Sequence, residues 1–377
     1  MVDYKDQHGK RHIKTFKLKK DAQAFDAQTH IEVSGRIHVA DTDTITVAAA
    51  GKLWLSACAD NGLERSTIAQ YGQHLRLHIE PFIGTRRLTE ITIPAVRAFL
   101  DTLKAEGRSP AMVRAVRVSL GALLSDAQER GLVTRNAVKD RGRKKSAKQV
   151  DARHKATAQI GVDIPTREEV KAILAAASGK PKIFIMTAIL TGLRASELRG
   201  LRWIDLDLER GEASIQQRAD AYKEIGSPKS QKGRRKVPLA GSLVAALKEW
   251  KKECPKGEQG LVFPSGTGAI EYHSNIVTRW YQPAQVAAGV TIDTGEKDKD
   301  GNHVLVAKYP GLHALRHFYA SWLINRPADG GLGLPPKMVQ ERMGHSSIQV
   351  TLDTYSHLFP SGDDGGEMDR AANALLG

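Results

Sequence analysis

The sequence predicts a multidomain chain, mainly α with small β-sheets, and three observations lead there. Its 377 residues exceed what one ordinary core accommodates and should divide into two or three domains. Apolar residues recur at helical spacing from 46 to about 140, whereas strand-like runs are short and confined to stretches such as 13–16 and 213–217. Between the main tracts, around 141–155, the periodicity stops. The balance of 56 Lys+Arg against 42 Asp+Glu gives a formal charge of +14, which favours a polyanionic partner or an acidic membrane surface. No apolar run approaches the roughly 20 residues that span a bilayer, and Met1-Val2-Asp3-Tyr4-Lys5-Asp6 has no signal-peptide core, so a cytoplasmic, nucleoid-associated protein is expected. Cys58 and Cys254 stand far apart without CxxC or Cys/His spacing, which argues against a disulfide framework or a zinc site.

Residues 1–40 read as a small basic β-plus-helix module: a first strand of two or three residues, a polar turn over 6–10, a strand around 13–16, and a helix from about Lys20 to Val33 closed by Gly35. Residues 46–140 read as four helices. Val47, Ala50, Trp54 and Cys58 form one stripe; Ile68, Tyr71, Leu75 and Ile79 form a second, halted near Pro81. Thr92 and Ser109 sit at cap positions with Pro94 and Pro110 close behind, and Val113, Val116, Leu120 and Leu124 make the last stripe before Gly131. Arg65, Arg76, Arg108, Arg114, Arg117 and Arg130 lie outside the stripes, as they would on a surface that grips DNA backbone or on any solvated helix. Residues 141–160 form a linker, and seven basic against two acidic residues over 140–155 give it +5.

The C-terminal domain, 161–377, carries the chemistry. A helix capped by Thr166 holds Val170, Ile173 and Leu174; an apolar helix through 183–190 stops at Thr191-Gly192; the next element plants Arg194 in the first turn of a helix, where an anion is favoured. A buried Arg194–Glu197 pair that fixes the fold is the other reading of that turn. His313 and Arg316 stand three apart and share a helix face, and Tyr355 follows the Gly344-His345 pair. Tyrosine, histidine and arginine together suit phosphate chemistry, but a hydroxyl with a pKa of about 10 must be activated by its neighbours.

Thr191-Gly192-Leu193-Arg194-Ala195-Ser196-Glu197-Leu198, then Leu312-His313-Ala314-Leu315-Arg316-His317, then Gly344-His345-Ser346-Ser347 leading to Thr354-Tyr355, resemble the catalytic boxes of the tyrosine recombinase (phage integrase) family in order and spacing. The resemblance covers nearly the whole chain: 1–40 resembles the arm-type DNA-binding module, with a first strand short of the complete form, 46–140 the core-binding domain, and 161–377 a mixed α/β catalytic domain with its tail. It implies that Arg194 and Arg316 clamp the scissile phosphate, that Tyr355 attacks phosphorus, that Lys229 on a β-hairpin protonates the leaving 5′-oxygen, that His313 manages the proton of Tyr355, and that His345 donates a further hydrogen bond. Lys232 competes with Lys229 for the acid's place; His317, His357 and Tyr319 match no catalytic position and take structural readings. Energy stored in a 3′-phosphotyrosyl link implies no cofactor and no metal. The implied partners are double-stranded DNA at core and arm sites, three further copies in a tetramer, a directionality factor and a DNA-bending protein. A strand-swivelling type IB topoisomerase and a non-catalytic DNA-binding regulator are the rival readings. Two additions to the pattern are expected: a polar hairpin over 286–310 with a mobile tip, and a helical tail over 368–376 in which Leu375 and Leu376 anchor a neighbouring protomer.

Overall fold

Alternation at the N-terminus produces a hairpin rather than a tail. In the computed structural model, which describes residues 1–6, 9–35, 38–40, 43–140, 158–228, 231–359 and 366–376, β1 (Val2–Lys5) pairs antiparallel with β2 (Arg11–Lys14), Val2 facing Lys14. The first strand is thus four residues long, longer than expected, because Tyr4 packs edge-on against Phe25 of helix α1 (Lys19–Ser34), 5.8 Å between ring centres, and holds the strand in place. His12 meets Asp6 across the hairpin at 2.8 Å, both buried.

The chain divides into two compact units, residues 1–145 and 146–377. In the first, α2 (Val47–Asp60), α3 (Arg65–His74), α4 (Glu80–Ile83), α5 (Ile93–Ala105) and α6 (Pro110–Glu129) enclose one core containing Trp54, Ile79, Leu103, Leu120 and Leu124. Thr92 and Ser109 accept hydrogen bonds from the amides of Ala95 and Met112, as their cap positions predict. The second helical stripe ends at Ile83, two residues beyond Pro81. It runs through a π-helical turn, Leu75–Ile79, in which the Glu80 amide bonds to the Leu75 carbonyl, and this wider turn lets a proline pass where an α-turn would clash with the carbonyl four residues back. Arg65, Arg76, Arg108, Arg114, Arg117 and Arg130 are all solvent-exposed.

The second unit begins with α7 (Arg167–Ala176), started by a reciprocal capping box between Thr166 and Glu169, then α8 (Gly179–Thr191) and the short α9 (Ala195–Gly200). A three-stranded antiparallel sheet follows, ordered β3 (Leu206–Asp207), β4 (Glu212–Ile215), β7 (Arg235–Pro238); a smaller hairpin, β5 (Arg218–Ala219) with β6 (Ile225–Gly226), branches from it. After α10 (Gly241–Glu253), α11 (His273–Asn275) and α12 (Gln282–Ala287), strands β8 (Thr291–Lys297) and β9 (His303–Ala307) form the added hairpin. It starts later than position 286 because Val286 and Ala287 still belong to α12. Then come α13 (His313–Ile324), α14 (Pro336–Met343), α15 (Ile348–Tyr355) and α16 (Gly366–Leu376), the last exposing Leu375 and Leu376. Phe184, Ile189, Leu198, Val237, Leu315, Met343 and Tyr355 share the unit's core. Both cysteines are free thiols, and among the described residues no helix is long and apolar enough to cross a membrane.

Leu120 is fully buried in the first unit, so Leu120→Ala is expected to cost about 2–5 kcal/mol in urea unfolding through the cavity it leaves. Arg117→Ala, one turn away on the exposed face, should stay within about 0.5 kcal/mol.

Candidate active site

A single carboxylate organises the arginines. Helix α8 ends at Gly192 with φ of 60°, and the ring of Tyr319 packs so closely there that an added Cβ would stand 2.1 Å from it, which restricts the position to glycine. The backbone then extends through Arg194, at φ −67° and ψ 151°, so Arg194 is the residue that precedes α9 and lies outside its first turn. The reason is Glu197. Its carboxylate accepts the backbone amide of Arg194 at 2.9 Å and the Arg194 guanidinium at 2.8 Å, occupying the helix start that an anion was expected to use. The same carboxylate, 2% exposed, takes both arms of Arg235 at 3.2 and 2.9 Å. Burial pushes its pKa up, but the Arg235, Arg194 and Arg316 charges prevail and hold it at about 2.

The far sides of the three guanidiniums meet the C-terminus of α14. Arg235 donates to the Arg342 carbonyl at 2.8 Å, Arg316 to the Met343 carbonyl and Arg194 to the Gly344 carbonyl at 3.0 Å. Arg316 also donates to the Gly192 carbonyl at the end of α8. Carbonyls at a helix end have no partner within the helix and carry the negative pole of its dipole, so they suit cations. Gly344 turns left-handed at φ +64°, and a Cβ there would stand 2.8 Å from a nitrogen of Arg235.

Around this cradle stand the histidines and the tyrosine. His313 opens α13 and is solvent-exposed, yet the protein crowded about its ring, with His317, Arg316 and Arg194 nearby, presses its pKa down to about 4. His345 is buried; burial and the same arginines take it to about 3, and its Nδ1 meets Thr351 Oγ1 at 2.9 Å, one helical turn before Tyr355. Tyr355 ends α15 at 2% exposure, its ring stacked on that of His345 at 6.3 Å. Burial raises its pKa to about 12 against the pull of Arg316, so the phenol is protonated at neutral pH. Its hydroxyl meets Nδ1 of His317 at 2.7 Å.

Arg194, His313, Arg316, His345 and Tyr355 are therefore neighbours in space. Lys229 lies outside the described residues; Lys232 is exposed in the turn before β7. Tyr319 and His357 have structural surroundings, Tyr319 against Gly192 and His357 bonded to the Ala158 carbonyl at 2.8 Å. His317, assigned a structural place from the sequence, is bonded to the hydroxyl of Tyr355; its spacing of four from His313 put it on the same helix face. Arg235 went unnoticed in a basic run, although alternation with the buried Val237 puts it on the inward face of β7.

Two family models match the chain: the phage integrase family over residues 165–361, and the phage integrase N-terminal SAM-like domain over residues 47–104. Fold and matches define a class, the site-specific tyrosine recombinases, enzymes that act on DNA. The chain belongs to the phage integrase family. A tyrosine recombinase XerC-like protein of Caldanaerobacter subterraneus subsp. tengcongensis is 26% identical, the match spanning 94% of this chain and 90% of the relative. Among solved structures, the Tn1549 transposon integrase bound to transposon right end DNA matches with a TM-score of 0.62 at 20% identity, covering 87% of this chain and 100% of that one. A lambda integrase tetramer bound to a Holliday junction matches with a TM-score of 0.56 at 18% identity, covering 96% and 94%. At these identities the two structures bear on the fold.

Glu197→Gln leaves Arg235 and Arg194 without their carboxylate and is expected to lower unfolding stability by about 3–5 kcal/mol, read by urea titration. Acid should act through two overlapping windows. Unfolded histidines near pKa 6.5 bind protons that native His313 and His345 refuse, so stability falls as pH drops from about 6.5 toward 3. Glu197, depressed from 4.5 to about 2, contributes fully above 4.5 and loses its contribution as pH falls toward 2; Glu197→Gln should reduce the loss below 4.5 and leave the loss between 6.5 and 4.5 in place.

Proposed function

We propose that this recombinase cuts and rejoins double-stranded DNA at a core site through a 3′-phosphotyrosyl link to Tyr355, integrating and excising a mobile element. The observation that carries this reading is a tyrosine, 2% exposed, beside an arginine cradle prepaid with a carboxylate and helix carbonyls. Arg194 and Arg316 offer charge and fork geometry to the non-bridging oxygens of the scissile phosphate, and being held in advance they need little rearrangement as charge builds in the transition state. His345 and His313, uncharged at neutral pH, offer N–H donors without adding to the cationic crowd. His313 shares in phosphate binding and in the proton traffic of Tyr355. Lys229 is the acid that protonates the departing 5′-oxygen, and a 5′-hydroxyl from partner DNA reverses the step. No cofactor or metal enters this scheme.

The exposed arginines of the helical domain and the net charge of +14 fit a grip on DNA phosphates. A homotetramer around two duplexes is the working assembly, in line with the lambda integrase tetramer solved on a Holliday junction. Within it, Leu375 and Leu376, each 84% exposed, anchor α16 on the next protomer. The N-terminal hairpin and α1 serve as an arm-site module, and a directionality factor and a DNA-bending protein select integration or excision.

With a nicked suicide duplex carrying the direct repeat that flanks the encoding DNA, wild type should give an adduct that survives SDS and Tyr355→Phe should give none; an equal adduct from both removes Tyr355 as nucleophile. Lys229→Ala should slow cleavage by about 10²–10⁴-fold and recover on a substrate with a 5′-thiol leaving group. If Lys232→Ala shows that pattern instead, the acid is Lys232.

A further inference from the structure

The hydroxyl of Tyr355 has one hydrogen-bond partner among the described residues, and it is His317. Helix α13 presents its residues so that His313 and His317 lie one turn apart on one face; their rings meet edge to face at 4.5 Å, and His317 then meets the Tyr355 ring at 5.6 Å. The order in space is His313 toward solvent, His317 behind it, and the tyrosine hydroxyl beyond.

From this geometry we propose that His317 is a further catalytic residue, which accepts the Tyr355 proton during strand cleavage and returns it on rejoining. This rests on the reading of Tyr355 as nucleophile. A protonated phenol must lose its proton as its oxygen bonds to phosphorus, and an acceptor works from hydrogen-bond distance, which is where Nδ1 of His317 stands at 2.7 Å. The direction of that bond follows from the two groups. The phenol holds its proton up to about pH 12, whereas burial keeps the His317 ring neutral below its ordinary range, so the hydroxyl donates and Nδ1 accepts, with the ring proton on Nε2. The charged and titratable groups facing His317 are Tyr355 on α15, His313 and Arg316 on its own helix, and Asp163 ahead of α7. Burial and Arg316 disfavour the imidazolium and Asp163 favours it.

The step balances as follows. The Oη–H bond of Tyr355 breaks, its proton goes to Nδ1 of His317, and the oxygen's electron pair forms the bond to phosphorus. The P–O5′ bond breaks, and the 5′-oxygen keeps that pair and takes a proton from the general acid. On rejoining, the incoming 5′-hydroxyl gives up its proton to that acid's conjugate base, the tyrosyl oxygen departs from phosphorus, and His317 reprotonates it. His313 has no bond to the tyrosine hydroxyl among the described residues; its share in the proton traffic runs through His317, whose ring it meets at 4.5 Å.

The test compares wild type with His317→Asn and His317→Ala on the same nicked suicide duplex from pH 6 to 9, with duplex affinity and thermal unfolding measured alongside. Asparagine can hold the hydroxyl but cannot carry its proton. At pH 7 its adduct rate should fall by about 10²–10⁴-fold at unchanged duplex affinity. The variant's rate should then climb about tenfold per pH unit as hydroxide does the work, while wild type stays flat above pH 7. Replacing Tyr355 by a more acidic fluorinated tyrosine should recover much of the loss. If wild type forms the adduct and His317→Asn matches its rate and pH profile, the proposal fails and the nucleophile assignment stands. A slow variant without the pH slope or the gain from fluorotyrosine marks His317 as structural and also overturns it. No adduct from wild type overturns the parent reading as well. Should His317→Ala unfold, the asparagine variant decides.

Discussion

Everything at the site depends on how three like charges are kept together. Arg194, Arg235 and Arg316 would repel one another in a buried space, and Glu197 supplies only one compensating charge. The remainder comes from backbone: the carbonyls of Arg342, Met343 and Gly344 at the end of α14, and that of Gly192 at the end of α8. Helix ends hold carbonyls that need donors, and arginine has five donors to distribute, so each deficit meets the other. The cluster remains short of negative charge, which is the condition for binding a phosphate.

Burial, aided at two histidines by these arginines, sets the state of the groups nearby. His313 and His345 are driven to the neutral form partly by burial and partly by these arginines, while the pull of Arg316 on Tyr355 is too weak to offset burial. Tyr355 therefore rests as a phenol. A phenolate at rest would neutralise the arginine cradle; under the proposed mechanism, a phenol leaves that charge for a DNA phosphate.

Much of the fold was legible because its signals are local. The stripes of α2 and α6 follow from helical spacing, and Thr92, Ser109 and Thr166 cap because their hydroxyls reach the next turn. Pro81 marked the end of the second stripe to within two residues, but the widened turn before it leaves no mark of its own in the residue types. At the site, Arg194, His313, Arg316, His345 and Tyr355 sit in recognisable boxes, and the structure brings those boxes together. Glu197 as a shared hub, Arg235 on β7 and His317 under the tyrosine were not read, since each takes its role from a partner 38 to 107 residues away. Such pairings are products of tertiary contact, which spacing along one helix or strand does not encode.

The turn after α14 does two jobs at once. Its carbonyls hold the clamp, and a few residues on, the bond from His345 to Thr351 ties it to the helix that ends in Tyr355. The arginines and Tyr355 thus share one short piece of backbone as their support. Under the mechanism proposed above, seating a phosphate on the arginines and presenting the tyrosine would both act through that turn.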